Sequence, residues 1–202
     1  RYDKSHLVPF GEYLPFAKTL PWLQAFTPYP PGWGLTAGEG AAVFEYGGWR
    51  MAPVICFEDT VPHLVRGVMA AGTNHERDAE VDVLVNLTND GWFYGSSELD
   101  LHLVNGLFRS VELRKPMLIA ANTGFSAWID ADGRIVERGP RRATGFIVAD
   151  VELDSRRSLY LTYGDTPAGF CLLLTLSVAA AGVWAWRRKA KPAPEEGGSP
   201  PE

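Results

Sequence analysis

Cys56 is the residue whose type and setting could do covalent chemistry. It follows a β-compatible run from Arg50 and precedes Val61, Leu64, Val65 and Val68, which recur at helical spacing. That places it at a strand-to-helix junction, where a side chain is exposed and helical N–H groups can stabilise negative charge. Glu58 follows two positions later, and the opening stretch KSHLVPFGE adds the cation Lys4 and a second carboxylate, Glu12. A thiol, an ammonium and carboxylates are the parts from which nucleophilic acyl chemistry is assembled. Taken singly, each also has a plain structural role: free cysteines are commonly buried, and an isolated Lys or Glu usually belongs to a surface ion pair. The second cysteine, Cys171, lies in an apolar run away from Cys56, so Cys56 is read as a free thiol. His6, His63, His75 and His102 lack metal-ligand spacing, and neither a P-loop nor a GxGxxG occurs, so no metal and no cofactor is expected. His102 reads as a structural residue of its helix.

The elements that must position these groups alternate. Ala42–Tyr46 and Arg50–Cys56 flank Gly47-Gly48 and form a hairpin; a helix runs to near Gly72; Val81–Leu87 is a β-branched strand of central type. A charged loop, Thr73–Glu80, separates the last two. Leu99, Leu103, Leu107 and Val111 mark one face of a helix over residues 98–114, stopped by Pro116. Met117–Ala121, Phe125–Ile129 and the stretch at Ile135 and Val136 are strands, the last two joined by the turn DADG, and Gly145–Leu153 is a further strand. This alternation of strands and helices predicts an α/β fold with helices layered on a sheet.

The composition of the 202-residue chain is that of a folded protein, 46% hydrophobic and 21% charged. A net charge of -5 without a basic patch or a DNA-binding motif excludes nucleic acid as the expected partner. From Pro167 to Trp186 no residue is charged, and a helix of those 20 residues spans about 30 Å, the thickness of a bilayer core. Arg187, Arg188, Lys189 and Lys191 follow it, which puts the C-terminus on the cytoplasmic side. The expected organisation is a globular domain over 1–165, a transmembrane helix over 166–187 and a disordered cytoplasmic tail over 188–202. Residues 19–34 are dense in proline and aromatics; Trp22, Phe26 and Trp33 suit a membrane-facing arm, or equally rings folded over the domain's own core.

KSHLVPFGEYLPF and VICFED resemble the nitrilase (carbon-nitrogen hydrolase) superfamily, and among it the apolipoprotein N-acyltransferases. The resemblance continues through NLTNDGWF, through His102 with Arg109 and Glu112, through NTGFSAWIDADGRI, and to Tyr-Gly-Asp before the apolar span. It implies a nitrilase-like αββα sandwich, incomplete at its N-terminus, with a Glu-Lys-Cys triad in which Lys4 and Cys56 take the lysine and cysteine roles. It also implies that Glu12 and Glu58 support the site by holding Lys4, and that the N–H of Phe57 helps bind the oxyanion. Phe57 stands where many members have tyrosine, Leu101 where glutamine is usual, and Tyr94 is an extra residue in the WFG loop. The implied function is transfer of a fatty acyl chain from a phospholipid, through a Cys56 thioester, to the N-terminal amine of a diacylglyceryl-cysteine apolipoprotein at the bacterial inner membrane, with a periplasmic catalytic domain. A membrane-anchored amidase or nitrilase and a noncatalytic lipid- or lipoprotein-binding module are the competing readings. The chain begins at Arg1 and reads as part of a longer one; the family's general-base glutamate lies N-terminal to the lysine motif, so residues 1–202 alone are expected not to turn over.

Overall fold

The computed structural model describes residues 1–30, 32–72 and 81–189. The charged loop expected over 73–80 and nearly all of the expected tail, with Lys191, lie outside the described residues. The chain divides into two units, Arg1–Gly164 and the segment from Asp165 onward.

In the first unit, Gly47 and Gly48 adopt φ of 59° and 85° and close the predicted hairpin between β1 (Phe44–Tyr46) and β2 (Trp49–Ile55). Two positive φ values are what a two-residue hairpin turn demands. α1 (Pro62–Gly72) carries the chain to β3 (Val83–Thr88), parallel to β2, and α2 (Glu98–Leu113) carries it to β4 (Met117–Ala121), parallel to β3. β5 (Ala127–Ile129) and β6 (Ile135–Arg138) then add antiparallel, giving a six-stranded mixed sheet in chain order. A short helix, α3 (Leu159–Tyr163), packs on α1 and α2.

One face of the sheet forms the core with the helices. Ala52, Leu84, Met117 and Ile129 sit side by side across β2 to β5 and are fully buried with Val65, Val68 and Leu99 of the helices. The next row is Val54, Asn86, Ile119 and Ala127, apolar except for one amide. Gly106 lets α2 approach the sheet closely, since a Cβ there would press on Ile119. The expected α2 stripe holds at Leu99 and Leu103 but not at Val111, which is 39% exposed; Arg109, Ser110 and Leu113 are buried instead. Residues four apart advance about 40° beyond a full turn, so such a stripe drifts off the core within three steps.

One expectation needs correction. Gly145–Leu153 pairs with no strand among the described residues, with Phe146 and Val148 largely exposed. Its β-branched and apolar composition is compatible with a strand, but a strand exists only where it makes ladder bonds with a partner. Within residues 19–34, Pro21–Phe26 is a 3-10 helix. Trp22 and Phe26 meet edge to face at 6.0 Å and both stay exposed, whereas Trp33 stacks on Tyr29 at 3.6 Å and is half-buried.

In the second unit α4 (Thr166–Lys189) is a single 24-residue helix, apolar and long enough to cross a membrane over Thr166–Arg188. Its two central hydroxyls, Thr175 and Ser177, donate to the carbonyls of Cys171 and Leu173 at 2.8 Å, which satisfies them without water. The Arg188 guanidinium lies 3.6 Å from the Trp184 ring centre. Arg188 and Lys189 are helical, so the helix runs beyond the expected end at 187.

Candidate active site

β2 ends at Ile55 and Cys56 turns the chain abruptly into a 3-10 helix, Cys56–Thr60. Cys56 has φ of 53°, a left-handed conformation that costs a non-glycine residue about 1–3 kcal/mol and is concentrated at functional sites. Three groups hold it. Its N–H donates to Asn86 Oδ1 at 2.9 Å, and its carbonyl meets Asn86 Nδ2 at 3.4 Å and His102 Nε2 at 3.3 Å. The Phe57 N–H, second in the short helix, has no acceptor within that helix.

Lys4 and Glu12 come from the irregular opening segment. Lys4 Nζ donates to both Glu12 oxygens at 2.8 Å with its side chain 10% exposed, and the Val8 N–H adds a third bond to Glu12 at 2.8 Å. Glu58 does not hold Lys4, contrary to expectation. Its fully buried carboxylate accepts from the N–H groups of Ser5 (2.7 Å), His6 (2.9 Å) and Ile55 (2.7 Å), from Ser5 Oγ, and from the Tyr2 hydroxyl. It therefore staples the backbone after Lys4 to the strand that delivers Cys56. Burial, reinforced by Glu58, pushes the Tyr2 hydroxyl up to about 12, so it remains a donor. Glu58→Gln would turn an N–H against one of these donors; the expected cost is about 2 kcal/mol, or ~4–8 °C in Tm. An unchanged thermal midpoint would show that the staple is dispensable.

Lys4, Glu12 and Cys56 line one open cavity of about 680 Å3 together with Thr88, Asn89, Trp92, Asn122 and Ser126. A second, more enclosed cavity of about 360 Å3 shares Glu12, Cys56, Asn89 and Trp92 and is walled by Val8, Phe57 and Phe93. The fold thus brings the four candidates Lys4, Glu12, Cys56 and Phe57 to one place, although they are spread along the chain from position 4 to position 57. Trp22, Phe26 and Trp33 line neither cavity.

Under Cys56 lies a polar cluster that sequence reasoning missed. Asp59 and Asn86 are fully buried, joined at 2.8 Å; His102 bridges Asp59 (3.1 Å) and Asp90 (2.8 Å), and Thr88 donates to Asp90 at 2.7 Å. Gly124 closes over it, since a Cβ there would overlap the Asp90 carboxylate. Burial opposes charge on His102, but the hydrogen bonds of Asp59 and then Asp90 outweigh it and push the imidazole up to about 11. Burial pushes the Asp59 carboxyl up as well, with His102 pulling it back. The sequence signal was Asn86 itself, a lone amide in an apolar strand.

A family model described as carbon-nitrogen hydrolase matches residues 1–160. The chain belongs to that family. Its carbon-nitrogen hydrolase domain is the nitrilase-like α/β fold that the motifs implied. The chain is 38% identical over 191 residues to the apolipoprotein N-acyltransferase of Rhodopirellula baltica, and equally so over 191 residues to that of Geobacter metallireducens. These matches cover 93% and 94% of this chain but 33% and 34% of those proteins, so the chain spans about a third of the length of the curated relatives it matches. Among solved structures, a CN-hydrolase superfamily protein from Xanthomonas campestris aligns at TM-score 0.49 and 20% identity, over 69% of this chain and 48% of that one.

Proposed function

We propose that this chain carries the acyl-transfer site of a bacterial apolipoprotein N-acyltransferase. The observation that carries the reading is the cavity shared by Cys56, Lys4 and Glu12 in a chain most of whose length matches proteins of that name. Cys56 attacks the ester carbonyl of a phospholipid, and the Lys4 ammonium with the Phe57 N–H stabilises the tetrahedral oxyanion. The lysophospholipid leaves as its alcohol, taking up the proton that the thiol gave up, and the acyl group stays on sulfur as a thioester. The N-terminal amine of a diacylglyceryl-cysteine apolipoprotein then attacks that thioester, forming the amide and returning the thiol. Glu12 holds Lys4 in place and Glu58 holds its backbone.

The apolar α4 anchors the domain to the inner membrane; the basic residues Arg187, Arg188 and Lys189 keep its C-terminal end in the cytoplasm and the catalytic domain in the periplasm. The exposed Trp22 and Phe26, with the half-buried Trp33, form an arm that meets the lipid surface from which the donor enters.

The test is to incubate the membrane-bound protein, within its full natural chain, with phospholipid alone and to weigh the peptide containing Cys56. The expected result is the added mass of one acyl group, lost on adding a diacylglyceryl peptide as the triacylated product appears. An unmodified Cys56 in protein that makes the product would overturn the thioester route. Release of free fatty acid in place of amide would identify a hydrolase.

A further inference from the structure

We infer that Asn86 and His102 are positioning residues that lock Cys56 in its left-handed conformation and thereby aim its sulfur at the acyl carbonyl; the inference rests on the acyl-transfer reading above. Asn86 occupies a place that its neighbours in the same row, Val54, Ile119 and Ala127, fill with apolar side chains. A buried amide there is costly unless every polar atom is used. Its Oδ1 takes the Cys56 N–H, and its Nδ2 reaches both the Cys56 carbonyl and Asp59 Oδ2. One side chain thus grips both peptide groups of the strained residue, and it lines neither cavity at Cys56.

His102 completes the grip from α2. Nδ1 faces Asp90 Oδ1 and Nε2 faces Asp59 Oδ1 and the Cys56 carbonyl, and all of these oxygens accept. With both carboxylates ionised, each ring nitrogen carries hydrogen and donates, as in the imidazolium. The charged groups around it are Asp59 from the Cys56–Thr60 helix, Asp90 from the Asp90–Phe93 helix, and Arg109, which acts on Asp59 from α2 itself. A cation held between two carboxylates fixes the direction of Nε2, and with it the carbonyl of Cys56. The cluster hydrogen-bonds to the nucleophile's own backbone and so acts through Cys56; His102 also lines the smaller cavity, but its Nε2 is engaged by Asp59 and the Cys56 carbonyl.

The test compares Asn86→Leu, His102→Leu and His102→Gln in the full natural chain. Two rates are read: acyl-Cys56 formation from phospholipid over a range of donor concentrations, and alkylation of Cys56 by iodoacetamide. Asn86→Leu and His102→Leu are expected to acylate about 30- to 100-fold more slowly at saturating donor with half-saturation unchanged, since small misplacements of a reacting atom cost that much. His102→Gln still offers a donor to the Cys56 carbonyl and recovers to within about tenfold of wild type. Folded Leu variants acylating within about threefold of wild type would overturn the proposal. If Asn86→Leu fails to fold, equal rates for His102→Gln and His102→Leu would do so. If wild-type protein forms no acyl-Cys56, the acyl-transfer reading falls, and alkylation decides positioning alone: a rate in Asn86→Leu equal to that of wild type overturns it.

Discussion

Cys56→Ser lowers acyl transfer to the lipoprotein amine by on the order of 10⁶-fold, the scale seen when a nucleophile that works as part of a unit is removed. The substitution changes one atom. The backbone groups of residue 56 still meet Asn86 and His102, so the strand-to-helix turn is retained. What is lost is nucleophilicity: a serine hydroxyl needs a dedicated base, whereas a thiol ionises far more readily. The two rates are compared in membranes with a diacylglyceryl peptide, alongside thermal melting of both proteins. A variant that melts with wild type and transfers at more than about a hundredth of its rate would show that the nucleophilicity of the thiol is not what drives transfer.

Lys4→Met should cost about 10²- to 10³-fold in kcat with KM for phospholipid little changed, because the ammonium is needed chiefly where charge develops on the tetrahedral oxygen. Methionine matches the stem of lysine and keeps the segment packed. Glu12 loses its bidentate partner but keeps the Val8 N–H at 2.8 Å. Lys4→Arg is not a rescue: a planar fork in place of a point charge, in a side chain 10% exposed, would pair with Glu12 without placing a donor at the oxyanion. Steady-state kinetics over a range of phospholipid concentrations separates the two parameters. A rise in KM at unchanged kcat would make Lys4 a substrate-binding cation and remove it from transition-state stabilisation.

Local features of this chain were legible in its residues. Gly47-Gly48 between two β-compatible runs specified the hairpin, helical spacing after Cys56 specified α1, and Pro167–Trp186 specified an apolar helix of bilayer length. Each depends on the nearest neighbours along the chain or on simple periodicity, so each survives without knowledge of the rest of the fold. The motifs also pointed to the carbon-nitrogen hydrolase family, to which the chain belongs.

Only the tertiary structure decided where these parts meet. Glu58 was read as a partner of Lys4, yet it binds Ser5, His6, Ile55 and Tyr2, a choice set by which backbone N–H groups the fold leaves without partners beside it. Gly145–Leu153 is β-compatible in composition but pairs with no strand among the described residues, and pairing is a property of two segments, not one. Asn86 and Asp59, His102 and Asp90, and His102 and Asp59 meet across 27, 12 and 43 residues of chain, and no local pattern reports such contacts. A buried polar residue declares its purpose only when its partners are in view, because its burial is tolerable only through the hydrogen bonds that the folded chain supplies.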